Sequence, residues 1–385
     1  MAGFELPAGE LTHRRDALFA AMDRRGLSAF LVFHPTSLHW LTGSQAKGYQ
    51  AFQCLLVHRP SARLVMFTRE SEINEWRDEA QVDDLHAWGG PAGNDPIDGF
   101  LALTRSLGLE GRTTAMEVPA YYLHPHHYLR LKAGLDLGPD SEQPNLVSEL
   151  RMVKSAHEIA CIREAARVAD QCMATVRDAL AAGRSERQVA AALYATAMAQ
   201  GADLPTVPIN LVSGPRAGYS HGSPTLRQME RGDHGNAEFC IPFNRHTVSL
   251  GRTFCLGPPA ARVAEVHAIV RAAADACIAV LREGTPAGEA FRAASEVIDG
   301  AGLQAHRVHT LGYGVAAAFA PATGEPLQLA PGSPTVIRAG MLLSICPNVF
   351  IGEERLGVRL VDNVLVTRSG AEILSTFSRD MIVAP

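Results

Sequence analysis

Four side chains in the second half of the chain are of types that could do acid–base or nucleophilic chemistry. His221 stands in the Gly- and Pro-rich stretch YSHGSPT (219–225). Imidazole titrates near neutrality, so it can take a proton and return it. Glu238 lies in the strand-like NAEFCIPF (236–243), where a carboxylate is out of character. It could orient His221, hold a cationic substrate or attack as a nucleophile, and a plain structural pair with Arg252 is the alternative. Tyr313 sits between two glycines that would let ring and backbone approach a ligand closely. Its hydroxyl could donate to a leaving nitrogen or a developing oxyanion. Cys346, in SICPNVF, is in an apolar strand, where a cysteine more often lines a pocket than attacks. The tract YYLHPHHY (121–128) lacks a carboxylate or Cys to complete a metal site and reads as a surface helix start.

These residues need a scaffold, and 385 residues suit two domains. Residues 1–150 alternate short apolar strands (27–33, 53–59, 63–69) with helical patterns, one of them at 71–80 under a Ser71 N-cap. This predicts a three-layer α/β domain. Residues 151–385 read as an α+β domain in which one grammar occurs twice. A long helix, a Gly stop, a shorter helix and a strand-rich segment appear from about 146, where the apolar spacing runs on to Gly183, and again from about 261. The shorter helix of the first copy opens on a capping box, Ser185 with Gln188. Two copies suggest a duplicated domain with an approximate two-fold axis, with sites between its halves.

Composition narrows the function classes. Hydrophobic content is 47% and charged content 19%, ordinary for a globular protein, and the formal net charge of −5 offers no basic field for nucleic acid or an anionic membrane. No apolar run approaches a membrane span, and the N-terminus does not resemble a signal peptide. The seven scattered cysteines contain no CxxC pair, which argues against a zinc knuckle or a disulfide framework and points to a reducing cytoplasm.

Four stretches together carry a resemblance: 213–233 (SGPRAGYSHGSPTLRQMERGD), 236–254 (NAEFCIPFNRHTVSLGRTF), 309–319 (HTLGYGVAAAF) and 339–374 (AGMLLSICPNVFIGEERLGVRLVDNVLVTRSGAEIL). Their order and spacing resemble the pita-bread family of methionine aminopeptidases, aminopeptidase P, prolidase and creatinase, and 150–166 resembles the family's opening helix. The resemblance implies a ribonuclease-H-like N-terminal domain and a pita-bread C-terminal domain. The family's metallopeptidases hold two metal ions with two Asp, one His and two Glu. Those positions fall here on Glu238, Ser249, Tyr313, Cys346 and Val361. So few oxygen and nitrogen donors cannot build a binuclear site.

His221 falls on the histidine that metal-free creatinases use as general acid and base. LGYGVAAAFAPATGEPL (311–327) resembles the creatinase-like branch near ectoine hydrolases. The expectation is therefore a metal-independent hydrolase of a non-peptide C–N bond in a small polar molecule (an amidine, guanidine or cyclic amide), with no metal and no other cofactor. His221, Glu238 and Tyr313 would be catalytic. Substrate contacts would come from His309, Ser249, Thr247, Cys346 and Glu325. Trp40, Lys47 and Tyr49 would join them from a loop (34–53) that in dimeric relatives reaches the partner's site. A homodimer is implied. A metal-free C–N or C–S lyase and a catalytically inactive binding module stay open as alternatives.

Overall fold

The computed structural model describes residues 6–385 except 91, 92, 94, 119, 308 and 309. The chain forms two compact units that divide between Arg151 and Met152.

The N-terminal unit is built on a five-stranded sheet of order β4-β3-β2-β1-β5. Its strands are β1 (Ala29–Val32), β2 (Cys54–His58), β3 (Arg63–Arg69), β4 (Asp84–Trp88) and β5 (Thr114–Met116). Helices α1 (Glu10–Arg24), α2 (Pro35–Thr42), α3 (Ile73–Glu79), α4 (Pro96–Ser106), α5 (Pro125–Gly134) and α6 (Leu146–Arg151) complete it. The strands are apolar on both faces, with Phe30 and Val32 in one core cluster and Ala29 and Leu31 in another, so the sheet is the middle of three layers. Buried Glu117 accepts from the backbone N–H groups of Phe33 and His34 and from Ser37 Oγ, and Ser37 Oγ in turn accepts from Arg151. One helix start differs from expectation. Ser71 lies in a 3-10 turn and Glu72 is the N-cap position of α3, because Ser71 Oγ donates to the Glu72 carboxylate instead of accepting from the helix.

In the C-terminal unit, helices α7 (Ala156–Ala179), α8 (Glu186–Ala199), α9 (Ala261–Val280) and α10 (Ala287–Gly300) follow the predicted long–short, long–short order. The run expected from about 146 is two helices. Val153 pairs with Met341 in an isolated bridge, and Ser155 then caps α7 in a capping box with Glu158. The Ser185–Gln188 box of α8 is present. The strands are β6 (Asn210–Ser213), β7 (His234–Phe243), β8 (His246–Leu256), β9 (Gly312–Phe319), β10 (Ala322–Gln328), β11 (Leu342–Ile345), β12 (Val349–Ile351), β13 (Leu356–Val358), β14 (Asp362–Val366), β15 (Ala371–Ile373) and β16 (Ile382–Ala384). Nine of them form one sheet whose main path is β15-β14-β11-β9-β8-β7-β6.

Side-chain alternation gives this sheet two different faces. Phe239, Ile241, Val248 and Leu250 of the β7–β8 hairpin pack on Cys161, Val168 and Leu193 of α7 and α8. Leu343, Ile345 and Val364 pack on Val270 and Ile298 of α9 and α10. The helices therefore cover one face. The intervening residues of the same strands, Glu238, Cys240, Thr247 and Ser249, point to the other.

Candidate functional site

The five positions expected to carry the family's ligands converge on that second face. Cys240 lies directly opposite Ser249 in the hairpin register and Glu238 opposite Gly251. Tyr313 pairs with Ser344, and Ser344 pairs with Asn363. Val361 bridges to Gly251, which places it beside the hairpin.

Glu238 is engaged in an ion pair. Its Oε2 contacts Arg359 Nη1, and Asn210 Nδ2 donates to the same oxygen at 3.1 Å. Arg359, 1% exposed, also donates through Nε to Asn236 Oδ1 at 3.1 Å and through Nη2 to the Ser220 carbonyl. This guanidinium thus ties Glu238 to the loop that carries exposed His221. The alternative partner named from sequence, Arg252, is committed elsewhere: it binds Asp362 Oδ1 at 2.8 Å in full burial.

The remaining positions are uncharged, and Ser249 and Cys346 are hydrogen-bonded to neighbours outside the set. Ser249 Oγ is 3.3 Å from Cys240 Sγ, and the Ser249 N–H donates to Asn363 Oδ1. Burial pushes the Tyr313 phenol up, against a smaller opposing pull from the Ser344 and Ser249 hydroxyls. The buried Cys346 thiol is pushed up to about 12 by desolvation and donates to the Thr310 carbonyl at 3.5 Å. Such a thiol is not a nucleophile at neutral pH. The glycines around Tyr313 serve the sheet rather than a ligand. A Cβ at Gly312 would lie 2.7 Å from Leu329 and 2.8 Å from the Ser344 carbonyl, and one at Gly314 would lie 2.9 Å from Glu325.

The other sequence candidates fall into three groups. Thr247 is buried and its hydroxyl donates to the Ile241 carbonyl at 3.2 Å. Glu325 is buried in an ion pair with Lys154 at 3.3 Å, so its carboxylate is already neutralised. In the N-terminal unit, Trp40 is a core residue: Arg14 stacks on its ring at 5.2 Å and donates to its carbonyl. Tyr49 packs edge-on against Tyr122 at 5.2 Å, while Lys47 is exposed. His309 lies outside the described residues. Sequence reasoning missed Arg359, Asn210 and Asn363. An arginine within the apolar run LGVRL was the available signal for the first.

Metallopeptidase family M24 matches residues 160–368, and the Creatinase/Prolidase N-terminal domain matches residues 14–153. The chain belongs to metallopeptidase family M24. Among family relatives, the Xaa-Pro dipeptidase of Pyrococcus furiosus is 24% identical over 97% of this chain and 100% of its own. A probable dipeptidase PepE of Mycobacterium bovis is 28% identical over 98% of this chain and 97% of its own. The crystal structure of dipeptidase PepE from Mycobacterium ulcerans superimposes with a TM-score of 0.87 at 25% identity, covering 99% of each chain.

These findings correct the expected activity. These relatives are named as dipeptidases, and the family whose model matches is a metallopeptidase family. The reading of a metal-independent hydrolase of non-peptide C–N bonds is overturned. Five changed side chains on one sheet face do not by themselves move a chain out of a family whose likeness spans both domains.

The residues present do not fit the family's pair of metal ions. Hard divalent ions in such a centre need several carboxylate oxygens and an imidazole. Here the single carboxylate is held by Arg359. Val361 packs against Gly251, where a Cβ would already meet it at 2.8 Å. Cys346 and Tyr313 offer a thiol and a phenol where that centre needs carboxylate and imidazole donors.

Proposed function

We propose that the C-terminal domain takes a short peptide of the Xaa-Pro dipeptide class as its ligand, on the sheet face that carries Glu238 and Tyr313. The observation that carries this reading is the end-to-end agreement, across both domains, with proteins named as dipeptidases. Accessibility supports the division of roles. His221 is exposed and Glu238 and Tyr313 are half-buried, so a peptide can reach them. Ser249, Thr247, Cys346 and Glu325 are each under a tenth exposed and form the wall behind them.

In this reading the Arg359–Glu238 pair fixes the His221 loop against the sheet, His221 exchanges a proton with the peptide's terminal groups, and the Tyr313 hydroxyl supplies a hydrogen bond. The same proposal includes a homodimer in the cytoplasm. The reducing compartment is supported by the seven free thiols. Size exclusion with light scattering tests the dimer.

Calorimetric titration with Ala-Pro and with Pro-Ala, after chelator treatment and again with added manganese, tests the ligand class, with chromatography of the mixtures to detect cleavage. Saturable binding of Ala-Pro over Pro-Ala supports the reading, and failure to bind either dipeptide under any condition overturns it. Cleavage that requires added metal would keep the peptide class and overturn the misfit of the five positions.

A further inference from the structure

The helix-covered side of the β7–β8 hairpin holds a second constellation that the peptide reading does not use. His157 and Cys161 are one helical turn apart on α7, so their side chains share a face. His246 opens β8. The two-residue turn before it, Asn244 and Arg245, has φ of 47° and 64°, as the tight hairpin turn that matches strand twist requires. That turn brings the His246 ring to 6.3 Å from the His157 ring, edge to face. One potential donor atom from each of His157, Cys161 and His246 lies within 4.8 Å of the other two. His157 Nε2 is 3.8 Å from Cys161 Sγ, and Asn244 Nδ2 is 3.8 Å from the same sulfur. Cys161 is fully buried, His246 is 7% exposed and His157 is half-buried.

We propose that His157, Cys161 and His246 form a zinc site that pins the start of α7 to the hairpin turn. One thiolate and two imidazoles suit zinc, whose bonds of about 2.3 Å to sulfur and about 2.0 Å to nitrogen give a tetrahedral S···N separation near 3.5 Å. The 3.8 Å contact needs to close by only a few tenths of an ångström. On binding, the Cys161 thiol gives its proton to solvent, and zinc forms one bond to sulfur, two to ring nitrogens and a fourth to a water molecule. Asp203 accepts the Arg245 N–H at 2.7 Å and so helps fix the hairpin turn that carries His246. Strand alternation places this site on the opposite side of the sheet from Ser249 and Glu238, so it is separate from the family's ligand positions.

The full-length chain, stripped with chelator and dialysed, is titrated with Co²⁺ as a spectroscopic probe for zinc. The account expects a sulfur-to-cobalt charge-transfer band in the near ultraviolet that saturates at one ion per chain and is bleached by Zn²⁺. The band disappears in Cys161→Ser and His246→Ala but stays in Cys346→Ser, which changes a cysteine of the other face. His157→Ala, at a half-buried helix position, is the further variant should either of the first two fail to fold by circular dichroism. No saturable band, or a band that survives in folded Cys161→Ser, overturns the proposal. A Zn²⁺-induced rise in melting temperature that all three ligand variants retain does the same.

Discussion

The two sides of the β7–β8 hairpin make an instructive pair. They are built from alternate residues of the same two strands, so one backbone serves both. On the face away from the helices, the positions that the resemblance sets against the family's ligands hold a neutralised Glu238–Arg359 pair and the uncharged Ser249, Tyr313, Cys346 and Val361. On the helix side, softer donors, two imidazoles and a thiol, converge from elements distant in sequence. The apolar contacts of Phe239, Ile241, Val248 and Leu250 with the helices hold the hairpin in place, and Cys161 belongs to that same cluster. Ligand chemistry is thus a property of which side chains alternate outwards, not of the sheet itself.

Substitutions can separate the two sides. The largest effect is expected at Arg359. Arg359→Ala leaves Glu238 without its buried partner and should destabilise the chain by about 3–5 kcal/mol in urea unfolding. The double variant Arg359→Met with Glu238→Gln should recover most of that loss. If Arg359→Ala is neutral, the face away from the helices is not organised around this pair. Next is the helix side: zinc at about one hundred times its dissociation constant should add about 2.7 kcal/mol to wild-type stability and nothing to His246→Ala. Glu325→Gln, which removes the charge facing buried Lys154, should cost about 2 kcal/mol, since hydrogen bonds to charged groups carry that order of energy. Were Glu325 instead a ligand contact, peptide affinity would fall while stability stayed unchanged. Smallest is Tyr313→Phe, expected to cost about 1 kcal/mol as one hydrogen bond is lost, with a matching modest loss of dipeptide affinity.

Much of the architecture was readable before any coordinates. The strands at 27–33, 53–59 and 63–69, the doubled helix grammar and the Ser185–Gln188 box depend on local periodicity and capping, which sequence displays directly. Ser71 misled because a hydroxyl next to a carboxylate can bond its neighbour instead of the helix. The break before Ser155 escaped because it depends on a bridge to Met341, far along the chain. The five positions that the resemblance sets against the family's ligands each sit inside a short recognisable segment, and the structure brings them to one face of the sheet. Their consequence could not be read so simply. The partner of Glu238, Arg359, lies more than a hundred residues away, while Arg252, the pairing alternative nearer in sequence, binds Asp362. The zinc constellation was hidden for the same reason. A count of scattered cysteines with no CxxC argues against zinc, yet one helical turn from His157 to Cys161 and a distant His246 assemble three donors.

The account's central claim is that this family member recognises an Xaa-Pro dipeptide on a face where the family's two-metal centre is not assembled. Calorimetric titration of chelator-treated protein with Ala-Pro, repeated after adding manganese, tests it most directly. The account predicts one saturable binding event per chain whose affinity is the same in both conditions and is weakened in Arg359→Ala. Binding that appears only when two manganese ions per chain are taken up would contradict it.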